Sequence, residues 1–500
     1  MIAKQPGEAA LRADSEEARA PAGRISGRVG LVLGTALFIL MLWLPPPEGL
    51  DIVPWRVAAV AVLMAVFWLT EAAPIPVTAL LPVVLFPTLG VFSGVEAAAP
   101  YADPIVFLFL GGFLIALAVE RANLHRRIAL TVLSRIGPRE DLQVGGFMMA
   151  TAAISMWVSN TATAALMLPV ALSVVPPAVD GGSNRPRSEF ATALMLAVAY
   201  GASIGGMATL IGTPPNAFLA GFMRATYGVE IGFAEWLLVG VPFSLVMLIG
   251  CWLLLTRVAY KVSVKDIPGA RAVVREELRK MGPLSRMEKR VAVVFAATAA
   301  LWIFRPLLAR RWPELQLSDT TIAMAAALAL FFVPSGERRG EQLLHWECAR
   351  RVPWGVLVLF GGGLSLAAAV ADSGLAEWIG TRLAALEGVP VLVLVLAVAA
   401  VVLLLTELTS NTATTATFLP IVAALAVSVG QDPLLLTIPA VLAASCAFML
   451  PVATPPNAIV FGSGHVTIPQ MVRAGLWLNL GGLVAIMLVT YLLVGAVFGS

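Results

Sequence analysis

The sequence predicts an all-α polytopic membrane protein with about eleven transmembrane helices and two re-entrant hairpins, arranged as two inverted repeats. Three observations lead to this fold class. The composition is typical of a membrane protein, and the basic residues are concentrated in a few intervals between apolar stretches. The two halves of the chain also contain the same polar motifs in the same order.

The composition excludes an ordinary soluble domain. Hydrophobic residues make up 59% of the 500 positions and charged residues 13%, and the mean hydropathy is +0.89. Segments of roughly 20 apolar residues are long enough to cross a bilayer. The stretches that suit such crossings are residues 31–44, 57–70, 104–119, 236–256, 291–304, 321–333, 391–405 and 475–498.

Basic residues divide and orient the chain. We predict a disordered cytoplasmic tail over residues 1–28, a first membrane half over 29–256, a cytoplasmic linker over 257–290 and a second membrane half over 291–500. The linker contains ten basic residues, and such clusters stay in the cytoplasm. Threading spans between the clusters puts the N-terminus inside and the C-terminus outside. The misfit to this threading is Arg305, Arg310 and Arg311, which it would place outside.

The second half repeats the first. A shift of 251 residues aligns residues 111–170 with the second half without a gap, and a shift of 241 aligns a later motif. An odd number of crossings between the copies makes them inverted, an architecture that recurs in secondary transporters. The paired motifs are Ser159-Asn160-Thr161 with Ser410-Asn411-Thr412, and Thr213-Pro214-Pro215-Asn216 with Thr454-Pro455-Pro456-Asn457.

The two Ser-Asn-Thr motifs predict turns that attract anions. Each one interrupts an apolar stretch and precedes good helix formers, as expected where two helical arms meet. Serine and asparagine are favoured N-caps, and the helix beyond them offers unpaired N–H groups and a positive dipole end. Asparagine adds an amide and threonine a hydroxyl to the same turn.

The two Thr-Pro-Pro-Asn motifs predict breaks in membrane helices. Proline has no N–H, so the carbonyls four residues earlier lose their helical donors, and the threonine before each pair leaves helical geometry. Irregular backbone at membrane depth is tolerated only where it is buried in protein or lines a cavity. The freed carbonyls and nearby hydroxyls are hard oxygen donors, which favour a small cation.

Other residues give weaker signals. Serine, threonine and proline occur in membrane helices for structural reasons, but this alternative explains one motif better than four collinear ones. His125, His345 and His465 are isolated in the sequence, and the three cysteines lack metal-binding spacing. Glu407 lies three residues before the second Ser-Asn-Thr motif, whereas its counterpart Met156 is apolar, so a role for Glu407 in the site stays open.

These paired motifs resemble those of the divalent anion/sodium symporters, a family of dicarboxylate, citrate and sulfate carriers. The resemblance extends from the first span to the C-terminus. It implies an elevator-type transporter and a homodimer in the plasma membrane, which is the inner membrane in bacteria. The hairpin tips would carry residues 159–161 and 410–412. We expect sodium ions as coupling ligands, the lipid bilayer as surroundings, no cofactor and no nucleic-acid partner.

The resemblance also implies site residues. The substrate-binding residues would be Asn160, Thr161, Thr213, Asn411, Thr412 and Thr454. The first sodium site would consist of Ser155, Ser159, Asn160 and the backbone at Gly212. The second would consist of Thr406, Thr409, Asn411 and the backbone at Ala453. Ser155 and Thr406 also correspond under the 251-residue shift, an agreement that is independent of the family.

The function that the resemblance implies is sodium-coupled symport of a small dianionic carboxylate into the cytoplasm, such as the C4 acids succinate, malate and fumarate. A sodium-independent dicarboxylate exchanger, or a sulfate, citrate or tartrate carrier, remains an alternative. An enzyme is disfavoured because the sequence has no HExxH motif and no paired intramembrane carboxylates, and broken helices disfavour a channel. Neither Ser-Asn-Thr motif contains lysine or arginine, so sodium itself would supply the positive charge that the anion needs.

We expect Asn160→Ala and Asn411→Ala each to abolish transport, because each amide would serve both an ion and a carboxylate. The expression level and the dimer size should stay near those of the unmodified protein. Uptake of labelled succinate into proteoliposomes measures the effect. Near-normal uptake by either variant would refute the assignment of the site.

Overall fold

The described part of the chain is helical and follows the same order of elements in each half. The structure is a computed structural model, and it describes residues 21–175, 189–267, 269–383 and 388–499. The helices of the first half and the linker are α1 Pro21–Trp43, α2 Ile52–Thr70, α3 Ile75–Thr78, α4 Leu81–Thr88, α5 Gly94–Ala98, α6 Pro104–Arg121, α7 Leu124–Leu133, α8 Glu140–Ser155, α9 Asn160–Val174, α10 Glu189–Met207, α11 Pro214–Tyr227, α12 Phe233–Leu253 and α13 Ala270–Lys280. Those of the second half are α14 Arg286–Arg311, α15 Asp319–Phe332, α16 Trp346–Ala349, α17 Trp354–Asp372, α18 Leu375–Leu383, α19 Val391–Thr406, α20 Asn411–Ser428, α21 Leu434–Ser445, α22 Pro455–Gly462, α23 Ile468–Val489 and α24 Gly495–Phe498.

Eight helical segments in the described ranges are long and apolar enough to cross a membrane. All eight stretches predicted from the sequence are helical, but three of the long helices were not among them: α10, α17 and α20. Small and polar residues lower the mean hydropathy of α10 to 1.5 and of α20 to 1.3. The most apolar part of α10 is completely buried inside the protein, so it faces other helices rather than lipid.

The first helix begins within the segment that the sequence predicts as a tail. Helix α1 starts at Pro21, whereas residues 1–20 of that segment lie outside the described residues. The basic linker likewise contains a helix, α13, which lies against α7. Two ion pairs hold this region, with Arg126 Nη2 2.9 Å from Glu277 Oε2 and Arg127 Nε 2.5 Å from Glu288 Oε1.

Arg305, which the predicted orientation places outside, forms an ion pair. Its Nε lies 2.8 Å from Asp319 Oδ1, and Asp319 Oδ2 accepts a hydrogen bond of 2.7 Å from the N–H of Phe233. The pair joins α14 and α15 to the start of α12. The ion pair explains how the Arg305 charge is accommodated between these helices, but it does not remove Arg305 from the positive-inside count.

The motifs mark four interruptions of the helices. Residues 156–159 join α8 to α9 and are called the first motif turn, and residues 407–410 join α19 to α20 and are called the second motif turn. Residues 208–213 separate α10 from α11 and form the first break. Residues 446–454 separate α21 from α22 and form the second break.

The two halves interlock at these interruptions. Helix α11, which follows the first break, packs against α20 and α21 of the second half. Helix α22, which follows the second break, packs against α9 and α10 of the first half. The hydroxyl of Tyr200 on α10 donates a hydrogen bond of 2.9 Å to the carbonyl of Phe448 in the second break. This exchange of partners brings all four motifs to one region of the molecule.

Glycine permits a close contact between two helices of the first half. Helix α10 packs along α8, and a Cβ added at Gly205 would lie 2.4 Å from the carbonyl oxygen of Ala152. Small residues allow backbones to approach in this way in membrane proteins, where the hydrophobic effect does not drive one helix against another. The contact holds the end of α8, and with it the first motif turn, against α10.

We expect a cysteine at Ala272 to be labelled only from the cytoplasmic face and one at Gly499 only from outside. Both positions are exposed, and the prediction follows from the expected cytoplasmic linker and the odd number of spans expected after it. A membrane-impermeant maleimide applied to vesicles of both orientations measures the labelling. The background is a chain with serine at Cys348, since Cys251 and Cys446 are buried. Labelling of both positions from one side would contradict the inverted arrangement.

Candidate functional site

A single cavity brings the four motifs together. Its volume is about 1050 Å³, and both motif turns and both breaks contribute to its wall. All the residues predicted to bind substrate line it: Asn160, Thr161, Thr213, Asn411, Thr412 and Thr454. Six of the residues predicted to bind sodium also line it, namely Ser159, Asn160, Gly212, Thr409, Asn411 and Ala453. The other two, Ser155 and Thr406, are fully buried behind the turns.

The first motif turn couples a hydroxyl to an amide. Helix α8 ends at Ser155, whose Oγ donates a hydrogen bond of 2.7 Å to Oδ1 of Asn160, the first residue of α9. Ser159 is the N-cap, and its Oγ accepts a bond of 3.3 Å from the N–H of Ala162. The predicted capping role of Ser159 is therefore confirmed, and the open end of α9 faces the cavity.

The second motif turn has the same hydroxyl–amide pair. Thr406 Oγ1 lies 2.8 Å from Asn411 Oδ1 and 2.7 Å from the carbonyl oxygen of Ala444. Thr409 Oγ1 lies 2.6 Å from Thr414 Oγ1. Ser410 occupies the N-cap position but makes no side-chain capping bond, so the predicted cap is wrong there. The first N–H groups of α20 are left to the cavity as a result.

Each break ends with an extended residue, and a new helix begins directly after it. Thr213 has φ −143° and ψ 141°, and Thr454 has φ −141° and ψ 148°. Prolines then occupy the first two positions of α11 and α22, where the missing N–H groups cost no helical hydrogen bond. The predicted interruption is confirmed, and its prolines start the second helical segment rather than kink a continuous one.

The first break brings a carbonyl close to the amide of the first motif turn. A Cβ added at Gly206 would lie 2.5 Å from Asn160 Oδ1 and 3.0 Å from the carbonyl oxygen of Gly212. The two oxygens therefore approach the same face of Gly206, beside the hydroxyl of Ser155. Neutral oxygens of hydroxyl, amide and carbonyl groups form a donor set suited to a small hard cation.

The charged residues of the cavity wall do not belong to the motifs. They are Glu71, Glu120 and Arg351, and Arg351 Nη2 lies 3.2 Å from Glu120 Oε2. The Arg351 side chain is 65% exposed, as expected at an entrance. Around the motif turns the wall consists of uncharged side chains and helix ends, so the attraction for an anion there comes from N–H groups and amides.

Comparison with known proteins identifies the family. The model of the family described as "Sodium:sulfate symporter transmembrane region" matches residues 26–499. The chain belongs to this symporter family. The family resemblance stated from the motifs is thereby confirmed, and the chain is a multi-pass membrane transporter rather than an enzyme.

Two curated relatives of this symporter are known as sodium-dependent dicarboxylate transporter SdcS. The protein of Staphylococcus saprophyticus is 45% identical over 477 residues, which cover 94% of this chain and 92% of the relative. The protein of Staphylococcus aureus is 43% identical over 480 residues, with the same coverage. Both similarities extend over nearly the whole chain, so they include all four motifs.

Two solved structures have a similar fold. MtrF of Neisseria gonorrhoeae, described among antimetabolite efflux pumps, matches with a TM-score of 0.59 at 12% identity, over 94% of this chain and 96% of that chain. The YdaH transporter of Alcanivorax borkumensis matches with a TM-score of 0.53 at 15% identity, over 95% and 98%. At such identities the likeness concerns the fold alone, that of an all-helical polytopic membrane protein.

The asparagines of the Thr-Pro-Pro-Asn motifs hold the breaks of the symporter. Asn216 Nδ2 donates to the carbonyls of Met207 and Thr209 at 3.3 and 2.8 Å, and Asn457 Nδ2 donates to those of Ala447 and Leu450 at 3.1 and 3.0 Å. Both asparagines are fully buried. They satisfy carbonyls of the interrupted helices, a role that the sequence analysis missed although it noted the repeated asparagine.

Glu407 is the first residue of the second motif turn, but its side chain does not line the cavity. Its carboxylate is 4% exposed and accepts hydrogen bonds from the N–H groups of Phe448, Met449 and Leu450 at 2.8 to 3.2 Å. Asn479 Nδ2 on α23 donates a further bond of 2.6 Å. Glu407 therefore binds the second break, which the sequence could not reveal because the partners lie about 40 and 72 residues away.

We expect Asn216→Ala to lower the midpoint of thermal unfolding of the purified protein. Two buried carbonyls would lose their donor, and an unsatisfied buried group costs about 1–3 kcal/mol. Thr226→Ala on the same helix is the matched control, since the Thr226 hydroxyl has no hydrogen-bond partner among the described residues. Equal midpoints for the two variants would show that the amide does not hold the break.

Proposed function

We propose that this symporter carries a C4 dicarboxylate such as succinate, malate or fumarate into the cytoplasm together with sodium. The observation that carries the proposal is the repeated unit of a hydroxyl bonded to a motif asparagine, Ser155 with Asn160 and Thr406 with Asn411, on two sides of one cavity. The names of relatives at 43–45% identity, sodium-dependent dicarboxylate transporters, agree with this substrate and this ion.

The cavity suits an anion with two charged ends. Each motif turn is followed by a helix N-terminus that offers one amide and one threonine hydroxyl. The two helix starts would form two equivalent cradles: Asn160 with Thr161, and Asn411 with Thr412. Thr213 and Thr454 stand beside them at the breaks. One carboxylate would bind in each cradle.

The assigned sodium sites explain the coupling. In each half the motif asparagine presents Oδ1 to a buried hydroxyl and stands at the start of the helix whose N–H groups face the cavity. A sodium ion held by these oxygens would add positive charge beside the cradle. Because the cradles contain no lysine or arginine, dianion binding would depend on the ion, and linkage makes the dependence mutual.

We further propose the arrangement of this fold in the membrane. The proposal comprises eleven crossings, re-entrant hairpins at the two motif turns, inverted halves at residues 29–256 and 291–500, a cytoplasmic tail and linker at 1–28 and 257–290, and an outside C-terminus. Glu120 and Arg351 at the cavity entrance lie in basic clusters, which supports an opening toward the cytoplasm. The bacterial inner membrane, a homodimer and an elevator movement belong to the same proposal.

An ion pair at the opposite end of the molecule supports alternating access. Arg224 on α11 pairs with Asp103, which also caps α6 through a bond of 2.8 Å from the N–H of Ile105. Helix α11 follows the first break, so movement of the motifs relative to α6 would have to separate this pair. The contact between Arg224 and Asp103 at one end, together with an open entrance at Arg351 at the other, is what we expect of an inward-open state.

The decisive experiment is uptake of labelled succinate by proteoliposomes with an inward sodium gradient, and with potassium in place of sodium. We expect uptake above the equilibrium level only with sodium. Uptake without sodium that is stimulated by succinate inside the vesicles would instead identify a dicarboxylate exchanger. Competition by sulfate, citrate and tartrate tests the remaining alternatives for the substrate.

We expect Thr406→Ala to weaken the apparent affinity for sodium by about tenfold, equivalent to about 1.4 kcal/mol, since it removes one oxygen ligand. At saturating sodium the apparent affinity for succinate should largely recover, because linkage is reciprocal. Thr161→Ala is the matched comparison, and it should weaken succinate binding even when sodium saturates. An unchanged sodium dependence in the Thr406 variant would identify its hydroxyl as a packing group and refute the second sodium site.

A further inference from the structure

The carboxylate of Glu407 is buried, and each hydrogen bond that it makes among the described residues is one that it accepts. The main-chain N–H groups of Phe448, Met449 and Leu450 and the amide of Asn479 all point their hydrogens at its two oxygens. Among the described residues it takes part in no ion pair. Hydrogen bonds donated to both oxygens favour the ionised form of this carboxylate, which would place a negative charge in the second motif turn.

The position of Glu407 links the elements that would form the second sodium site. It is the residue after Thr406, whose hydroxyl bonds to Asn411. The segment that it binds continues from Leu450 to Ala453, and the N–H of Ala453 donates a bond of 3.2 Å to the carbonyl of Leu450. The carboxylate therefore fixes the distance between the hydroxyl–amide pair and the backbone at Ala453.

In the first half, the motif turn is connected to its break by uncharged groups. Met156 stands at the position of Glu407, and its own carbonyl accepts a hydrogen bond of 2.5 Å from Thr209 Oγ1 in the first break. A turn and a break are thus joined in both halves, by a neutral hydroxyl in one and by a carboxylate in the other. The two predicted sodium sites have similar oxygen donors but differ by one unit of fixed negative charge nearby.

We infer that Glu407 is a positioning residue that makes the two cation sites unequal, so that the second site binds sodium more tightly than the first and fills before it. The inference rests on the proposed sodium-coupled function. A buried charge without a counter-charge is unfavourable in a medium of low dielectric constant, and a cation beside it relieves that cost. Sodium at the second site would do so, whereas the first site has no such charge to neutralise.

The test compares Glu407→Gln, which removes the charge, with Glu407→Asp, which keeps it. We expect Glu407→Gln to raise the sodium concentration for half-maximal succinate uptake by roughly tenfold or more, as loss of one nearby unit charge implies. At saturating sodium the KM for succinate should stay close to that of the unmodified protein. Glu407→Asp loses hydrogen bonds because its side chain is shorter, but its sodium dependence should shift much less.

Asn479→Ala is the matched control, because it removes one donor to Glu407 and no charge. Its half-maximal sodium concentration should shift much less than that of Glu407→Gln, since the carboxylate keeps its charge and its three main-chain donors. A second readout is the rise in thermal unfolding midpoint that sodium produces relative to choline, without substrate. This rise should be preserved in Glu407→Asp and Asn479→Ala and reduced in Glu407→Gln.

Equal shifts for Glu407→Asp and Glu407→Gln would overturn the inference, because the loss would then follow the hydrogen bonds and not the charge. An unchanged sodium dependence in Glu407→Gln would overturn it as well. If Glu407→Gln is not recovered as folded protein, Glu407→Asp decides, and a shift as large as that expected for the glutamine refutes the role of the charge. Failure of the proposed function is distinguishable, since the unmodified protein itself would then take up succinate without sodium.

Discussion

The backbone of an interrupted helix needs hydrogen-bond partners inside the protein, and the rest of this structure depends on that requirement. No water is available in the bilayer core to satisfy the N–H and C=O groups that a break exposes. Here the carbonyls of the first break are bound by Asn216 and those of the second by Asn457, while Glu407 binds the N–H groups of the second. With these groups satisfied, Gly212 and Ala453 can remain in non-helical backbone at the cavity.

The same arrangement separates structural polar groups from those that face the cavity. Asn216 and Asn457 are fully buried and occupied with the main chain, whereas Asn160 and Asn411 line the cavity. Asn160 and Asn411 are also each held by one hydroxyl, which orients the amide before a ligand arrives. An amide that is already oriented loses less conformational entropy on binding, and the proposed site gains affinity from this preorganisation.

The two halves agree in the hydroxyl–asparagine contacts at their turns, but they differ in the contacts that connect each turn to its break. Helices α8 and α19 end at corresponding residues, Ser155 and Thr406, and both donate to a motif asparagine. The first residues of the two turns, Met156 and Glu407, make different connections to the breaks. A repeat that keeps its ligand geometry while changing the surrounding charge can present two similar sites of different affinity.

The sequence by itself determined the membrane class, the repeated halves and the positions of the turns and breaks, because composition, proline and motif spacing act locally. The residues predicted to bind substrate and sodium came from the resemblance to a known family. The long apolar stretches of the sequence do not include α10, α17 and α20, although the predicted eleven crossings and two hairpins require further helices. The sequence also assigned a cap to Ser410 that is not formed, and it left Glu407 open. Only the tertiary structure decided that α11 and α22 pack against the opposite half, and that Asn216, Asn457 and Glu407 bind the breaks. Those contacts form between buried donors and free backbone groups that tertiary packing brings together. The spacing of residues along the sequence does not determine which of them become partners.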